Sequence, residues 1–77
     1  MRDIGVEAVF AADGSVQINR VQLDRRWLRV GQGRQWLDGD GRHCLIMLPD
    51  NSVHEIILQH ETLAWVMKPL ADSRQIV

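Results

Sequence analysis

The chain predicts an all-β fold, a small antiparallel meander or SH3-like open barrel of five to six short strands. Three observations carry that expectation. Short stretches of β-branched and apolar residues alternate in and out with a period of two. Tight polar corners separate them, most clearly Ala12-Asp13-Gly14-Ser15, Asp38-Gly39-Asp40-Gly41 and Pro49-Asp50-Asn51-Ser52. Finally, 77 residues that are 45% hydrophobic and 25% charged are too few for a second core, yet far from the composition of a disordered chain.

Ile4, Val6, Ala8 and Phe10 alternate with more polar neighbours and form the first strand, which reverses at Asp13-Gly14. Val16 and Ile18 continue on even positions, whereas Val21 and Leu23 continue on odd ones. The phase change at Asn19-Arg20 therefore predicts a β-bulge or a strand break. Asp24-Arg25-Arg26 is a polar turn and Trp27-Leu28-Arg29-Val30 a third strand with Leu28 and Val30 inward, ended by Gly31-Gln32-Gly33. Arg34 to Leu37 is ambiguous.

The hairpin from His43 to Leu58 is the strongest local signal. With Asp50-Asn51 at its tip, Leu48 pairs with Val53, Met47 with His54, Leu45 with Ile56 and His43 with Leu58. Both of its faces are then largely apolar, so it is either wrapped by the domain on both sides or covered on one side by a second subunit. Leu63 to Leu70 supplies the last strand, with Leu63, Trp65 and Met67 on one face and Pro69 at its end. Residues 1–70 form the single β domain and residues 71–77 a flexible tail. Helix competes over Ser52 to Met67, where Val53, Ile56, Ile57, His60, Leu63 and Ala64 recur at helical spacing behind a Ser52/Glu55 capping box. The β-branched content and Thr62, where a turn would fall, favour strands.

A single cysteine cannot form an internal disulfide, no apolar run reaches the length of a membrane span, and the N-terminus lacks a signal-like apolar region. A soluble, cytoplasmic protein without membrane contact is expected. The net charge of −1 hides a basic middle: Arg20, Arg25, Arg26, Arg29, Arg34 and Arg42 outnumber Asp24, Asp38 and Asp40 there.

No chemistry-bearing signature emerges. His43 and Cys44 are adjacent and point to opposite faces of a strand, so they cannot grip one ion, and the histidines lack zinc-finger spacing; no metal site is expected. Cys44 is read as a buried structural thiol beside Ile46 and Ile57. Asp38, Asp40 and Asp50 sit in turns for backbone reasons. Glu55 falls among apolar residues on the Cys44 side of the hairpin, which calls for an arginine partner or a different register. Gly31-Gln32-Gly33 is no dinucleotide fingerprint, because neither the third glycine nor a helix follows. No cofactor, catalytic residue or small-molecule substrate is expected, and the chain is read as a non-enzyme.

Two surfaces remain. Arg25, Arg26, Trp27, Arg29, Arg34 and Trp36 make a candidate ligand or nucleic-acid patch, since guanidinium groups pair with phosphates and indoles stack on unpaired bases. Leu45, Met47, Ile56 and Leu58 make a candidate self-association face, most simply for a two-fold dimer. The leading expectation is a non-catalytic binding or adaptor module that contacts another protein or itself; the alternative is a single-strand nucleic-acid-binding module.

From Ile18 onward the order of features resembles a small bacterial domain family of unknown function, found alone or at the C-terminus of some proteins related to Y-family DNA polymerases. Arg25-Arg26-Trp27-Leu28-Arg29-Val30, Gly33-Arg34-Gln35-Trp36, Gly41-Arg42-His43 and Leu63-Ala64-Trp65-Val66 carry the likeness, which covers about two thirds of the chain. Cys44 to Met47 departs from it in being aliphatic, and there is no tyrosine. The resemblance implies an open β-barrel or curved meander in a DNA-maintenance setting and transfers no catalytic residue.

Overall fold

Alternating apolar residues and reversing corners produce eight antiparallel strands in the computed structural model, which describes residues 2–69. They are β1 (Arg2–Asp3), β2 (Gly5–Phe10), β3 (Val16–Leu23), β4 (Arg26–Arg29), β5 (Gly31–Leu37), β6 (Gly41–Met47), β7 (Val53–Gln59) and β8 (Trp65–Met67). The strands form a five-stranded sheet, β1-β8-β7-β6-β5, and a three-stranded sheet, β2-β3-β4. The chain crosses between sheets at Ile4, whose N–H donates to Trp65 C=O, and returns at Val30, whose N–H donates to Asn19 C=O. Val16, Ile18 and Val21 from one sheet and Cys44, Ile46, Ile56 and Met67 from the other form the core between them.

The all-β expectation holds, with more and shorter strands than expected, and the helical alternative for Ser52 to Met67 gives way to β7 and β8. The proposed third strand stops at Arg29, because Val30 is the crossing residue, and Gly31-Gln32-Gly33 opens β5 instead of ending a strand. Leu63 has φ +58° in the turn before β8 and is exposed, so the last strand begins two residues later than its apolar pattern suggests. The tail assigned to 71–77 lies outside the described residues.

Three of the corners show how the sequence sets the strand pairing. Asp24 and Arg25, with φ of +50° and +68°, make the two-residue type I′ turn that matches strand twist. Ala11–Ser15 and Leu48–Ser52 share another device: a three-residue loop whose last member, Gly14 or Asn51, takes positive φ (+89° and +71°). In each, an aspartate, Asp13 or Asp50, accepts hydrogen bonds from both the N–H and the hydroxyl of the following serine. Those bonds favour the ionised carboxylates, and the pKa values of Asp13 and Asp50 are lowered.

The second of these loops corrects the hairpin register. Pro49 starts the turn and Asn51 joins it, so the loop holds one residue more than the Asp50-Asn51 reversal allowed. Met47 now opposes Val53, Leu45 opposes Glu55, Cys44 opposes Ile56 and His43 opposes Ile57. A one-residue slip exchanges the faces of β7 relative to β6, so Ile56 joins Cys44 and Ile46 in the core while Glu55 moves to the side of His43.

The bulge predicted near Asn19 is present: Glu7 pairs with Arg20 but Ala8 pairs with Ile18, leaving Asn19 as the extra residue. A second bulge lies in β5, where Gly33 and Arg34 together occupy the space opposite Leu45. Side chains three apart on a regular strand point to opposite faces, and this extra residue turns both Gln32 and Gln35 toward β3.

There they close the gap between the sheets. Ile18 N–H donates to Gln32 Oε1 at 2.7 Å, while Gln32 Nε2 donates to Val16 C=O at 2.7 Å. Val16 N–H donates to Gln35 Oε1 at 3.3 Å, and Gln35 Nε2 donates to the same Val16 carbonyl at 2.8 Å. Arg42 extends the seam by donating to Gln35 Oε1 and to Gly14 C=O at 2.7 and 2.8 Å. Two amide side chains thus satisfy both backbone groups of Val16 and the N–H of Ile18 in the half of β3 that β4 does not cover.

Gln32→Met keeps the side chain's length and removes its hydrogen bonds, orphaning part-buried backbone groups of β3. A loss of about 1–3 kcal/mol in urea unfolding is expected. An unchanged unfolding midpoint would show that the seam contributes nothing.

Candidate functional site

The arginine and tryptophan residues singled out from sequence do not share one surface. Trp27 and Arg29 lie on the outer face of the three-stranded sheet, because their neighbour Leu28 pairs with the core residue Val21. Arg25 is at the turn tip and Arg26 pairs with Leu23. Arg34 and Trp36 lie on the outer face of the other sheet, since Trp36 opposes His43, whose neighbour Cys44 is in the core. The core separates the two groups.

Much of the basic charge is also engaged. Arg20 pairs with Glu7 at 2.6 Å, a contact that lowers the Glu7 pKa and raises that of Arg20, and the Arg20 guanidinium stands 6.0 Å from the Trp27 ring. Arg2 pairs with Asp24. Arg34 stacks over Trp36 at 5.2 Å. Arg29 has no carboxylate partner among the described residues and borders an open polar groove of about 550 Å³ with Glu7, Gln17, Asn19, Arg20 and Gln32.

The self-association set is likewise divided by the register. Leu45 and Met47 project from the outer face of the five-stranded sheet, whereas Ile56 is fully buried and Leu58 opposes Arg42 on the core side. Val53 takes the place of Ile56 on the outer face, directly across from Met47. Met47 and Val53 are 45% and 50% exposed, which leaves them half in water. Beside them, Gly31 and Gly33 supply no side chains, and a shallow apolar cavity of about 260 Å³ opens between these residues and Leu45. Cys44 is buried as expected, with Ile56 rather than Ile57 across from it, and burial raises its pKa against the opposing pull of Arg42.

The unforeseen feature is His43. It is only 4% exposed, on the outer face of the sheet, with its ring stacked on Trp36 at 5.1 Å and 10° between planes. Nδ1 lies 2.5 Å from Glu55 Oε2; a carboxylate can only accept, so Nδ1 carries a proton. Nε2 lies 2.8 Å from Asp38 Oδ1 without the alignment of a hydrogen bond. Lys68 Nζ is 3.6 Å from the same Glu55 oxygen. Of the two expectations for Glu55, the different register is the one met, and its partners there are His43 and Lys68 rather than an arginine.

Local structure holds this arrangement. Asp38 Oδ1 accepts the N–H groups of Asp40 and Gly41, at 2.8 and 3.4 Å, which tightens the β5–β6 reversal. Gly41 has φ +147°, and a Cβ there would come within 2.0 Å of Leu58 C=O, so only glycine lets β6 begin this close to β7. Asp38, Asp40 and His43 then offer ligand atoms that lie within 4.8 Å of one another. Sequence spacing concealed this set, because a search through the histidines and Cys44 passed over turn aspartates that already had a backbone role.

Burial disfavours a charged His43, but the Glu55 and Asp38 carboxylates together outweigh it, and its pKa is raised. The Asp38 carboxyl is held below its usual range by His43 and by the Asp40 N–H. A raised histidine pKa adds stability that is complete below the unfolded value of about 6.5 and is lost as pH climbs through the higher folded value. In chelator-containing buffer, the melting temperature is expected to fall as pH rises above about 6.5, and to fall less in His43→Gln. Parallel profiles for the two proteins would contradict the charge assignment.

Comparison of the chain with protein-family models, curated proteins and solved structures finds no match, and nothing in those comparisons bears on the resemblance drawn from sequence.

Proposed function

We propose that the chain is a non-catalytic binding module that pairs with a second copy of itself through the outer face of its five-stranded sheet. The observation that carries this reading is the half-exposed Met47–Val53 pair beside Leu45 and the side-chain-free strip of Gly31 and Gly33. Apolar side chains flanking a shallow strip suit a two-fold contact, in which the Met47 of each copy seats in the strip of the other. β5 is also the edge of its sheet, and glycines leave its backbone open to approach. Function on this reading lies in the assembled surface, with no reacting group required.

Sedimentation equilibrium at two concentrations tests it: the average mass is expected to rise with concentration, and Met47→Glu or Val53→Glu to hold the chain as monomer with the melting temperature of the parent at dilutions where the parent is itself monomeric. A concentration-independent monomer overturns the proposal. Single-stranded nucleic acid, the other occupant considered from sequence, would have Trp27 and Arg29 on the opposite sheet. Salt-sensitive binding of a labelled strand that Arg29→Glu abolishes, together with a monomeric mass, would favour it instead.

A further inference from the structure

Asp38, Asp40 and His43 meet at the reversal between β5 and β6, and their geometry poses an electrostatic problem. Glu55 claims the proton on Nδ1, so in neutral His43 the Nε2 lone pair faces a carboxylate oxygen only 2.8 Å away. Two acceptors at that distance repel unless a positive charge lies with them. Nε2 is buried and has no aligned hydrogen-bond partner, so a positive centre is needed between it and the Asp38 oxygen: a proton on Nε2 in the charged ring, or a metal ion in that proton's place.

We propose that Asp38, Asp40 and His43 form a binding site for a divalent first-row transition ion of the zinc type. His43 Nε2 and one oxygen from each aspartate would be its ligands. Mixed imidazole and carboxylate donors suit this class, whereas magnesium and calcium favour all-oxygen sets. Glu55 on Nδ1 is the partner such ligands usually have: it holds the tautomer that leaves Nε2 free and makes the nitrogen a stronger donor. Trp36 fixes the ring plane by stacking. When His43 is protonated, the ion displaces the Nε2 proton to solvent, and the carboxylates keep their charge throughout.

Three protein ligands leave coordination positions to water or to another molecule. Asp40 also lines an open cavity of about 250 Å³ with Gly39, Ile57, Gln59, His60 and Thr62, which gives such a molecule room. His60 is exposed, and its backbone N–H donates to Asp40 C=O at 3.2 Å. It is therefore the surface histidine against which specific binding must be distinguished.

Calorimetric titration of the full chain with zinc chloride at pH 7.5 tests the site. One ion per chain is expected, with affinity reduced at least tenfold in Asp40→Asn and about 10–100-fold in Glu55→Gln. His60→Gln is expected to leave affinity unchanged. Asp40 is exposed, so its variant should keep the metal-free melting temperature, which separates loss of a ligand from loss of fold. Absence of saturable binding overturns the proposal. So does binding that Asp40→Asn leaves intact or that His60→Gln removes.

Discussion

Two glutamine amides hold this fold closed. β3 is longer than the strand beside it, and its first half would present bare backbone to the gap between the sheets. Gln32 and Gln35 supply the donors and acceptors that a further strand would otherwise bring. Both reach β3 because the Gly33-Arg34 bulge turns two residues three apart toward the same side. The core depends on that closure: Val16 and Ile18, whose backbones the amides grip, pack against Cys44, Ile46 and Ile56 from the other sheet.

The outer face of the five-stranded sheet follows from a different local choice. Asn51 in a left-handed conformation adds one residue to the β6–β7 loop, and that single residue decides which side chains of β7 meet the core. With it, Glu55 comes to His43 and Val53 to Met47; with a two-residue loop, neither contact would exist. The histidine cluster and the apolar strip are therefore two consequences of one turn, placed near opposite ends of β6.

Much of this was legible in the sequence. Alternation and corner residues gave the all-β class, the phase change at Asn19 marked a real bulge, and Cys44 is as buried as its neighbours implied. Where the reading failed, the deciding physics was nonlocal or finely balanced. Asp50-Asn51 is compatible with either loop length, and the longer loop is the one that brings Ile56 into the core. The two glutamines looked like ordinary polar residues, because their partners are backbone atoms about 14 to 19 residues away. Six arginine and tryptophan positions adjacent in sequence are divided by the crossing at Val30, which sends Arg34 and Trp36 to the other sheet.

Native-state hydrogen exchange at the Ile18 amide tests the closure most directly. If Gln32 takes the place of a strand, that amide exchanges nearly as slowly as the ladder amides of Cys44 and Ile56, through opening of the whole domain. Exchange at the rate of a free sheet edge would mean that the two sheets are held by apolar contact alone and that the glutamine seam is not what closes them.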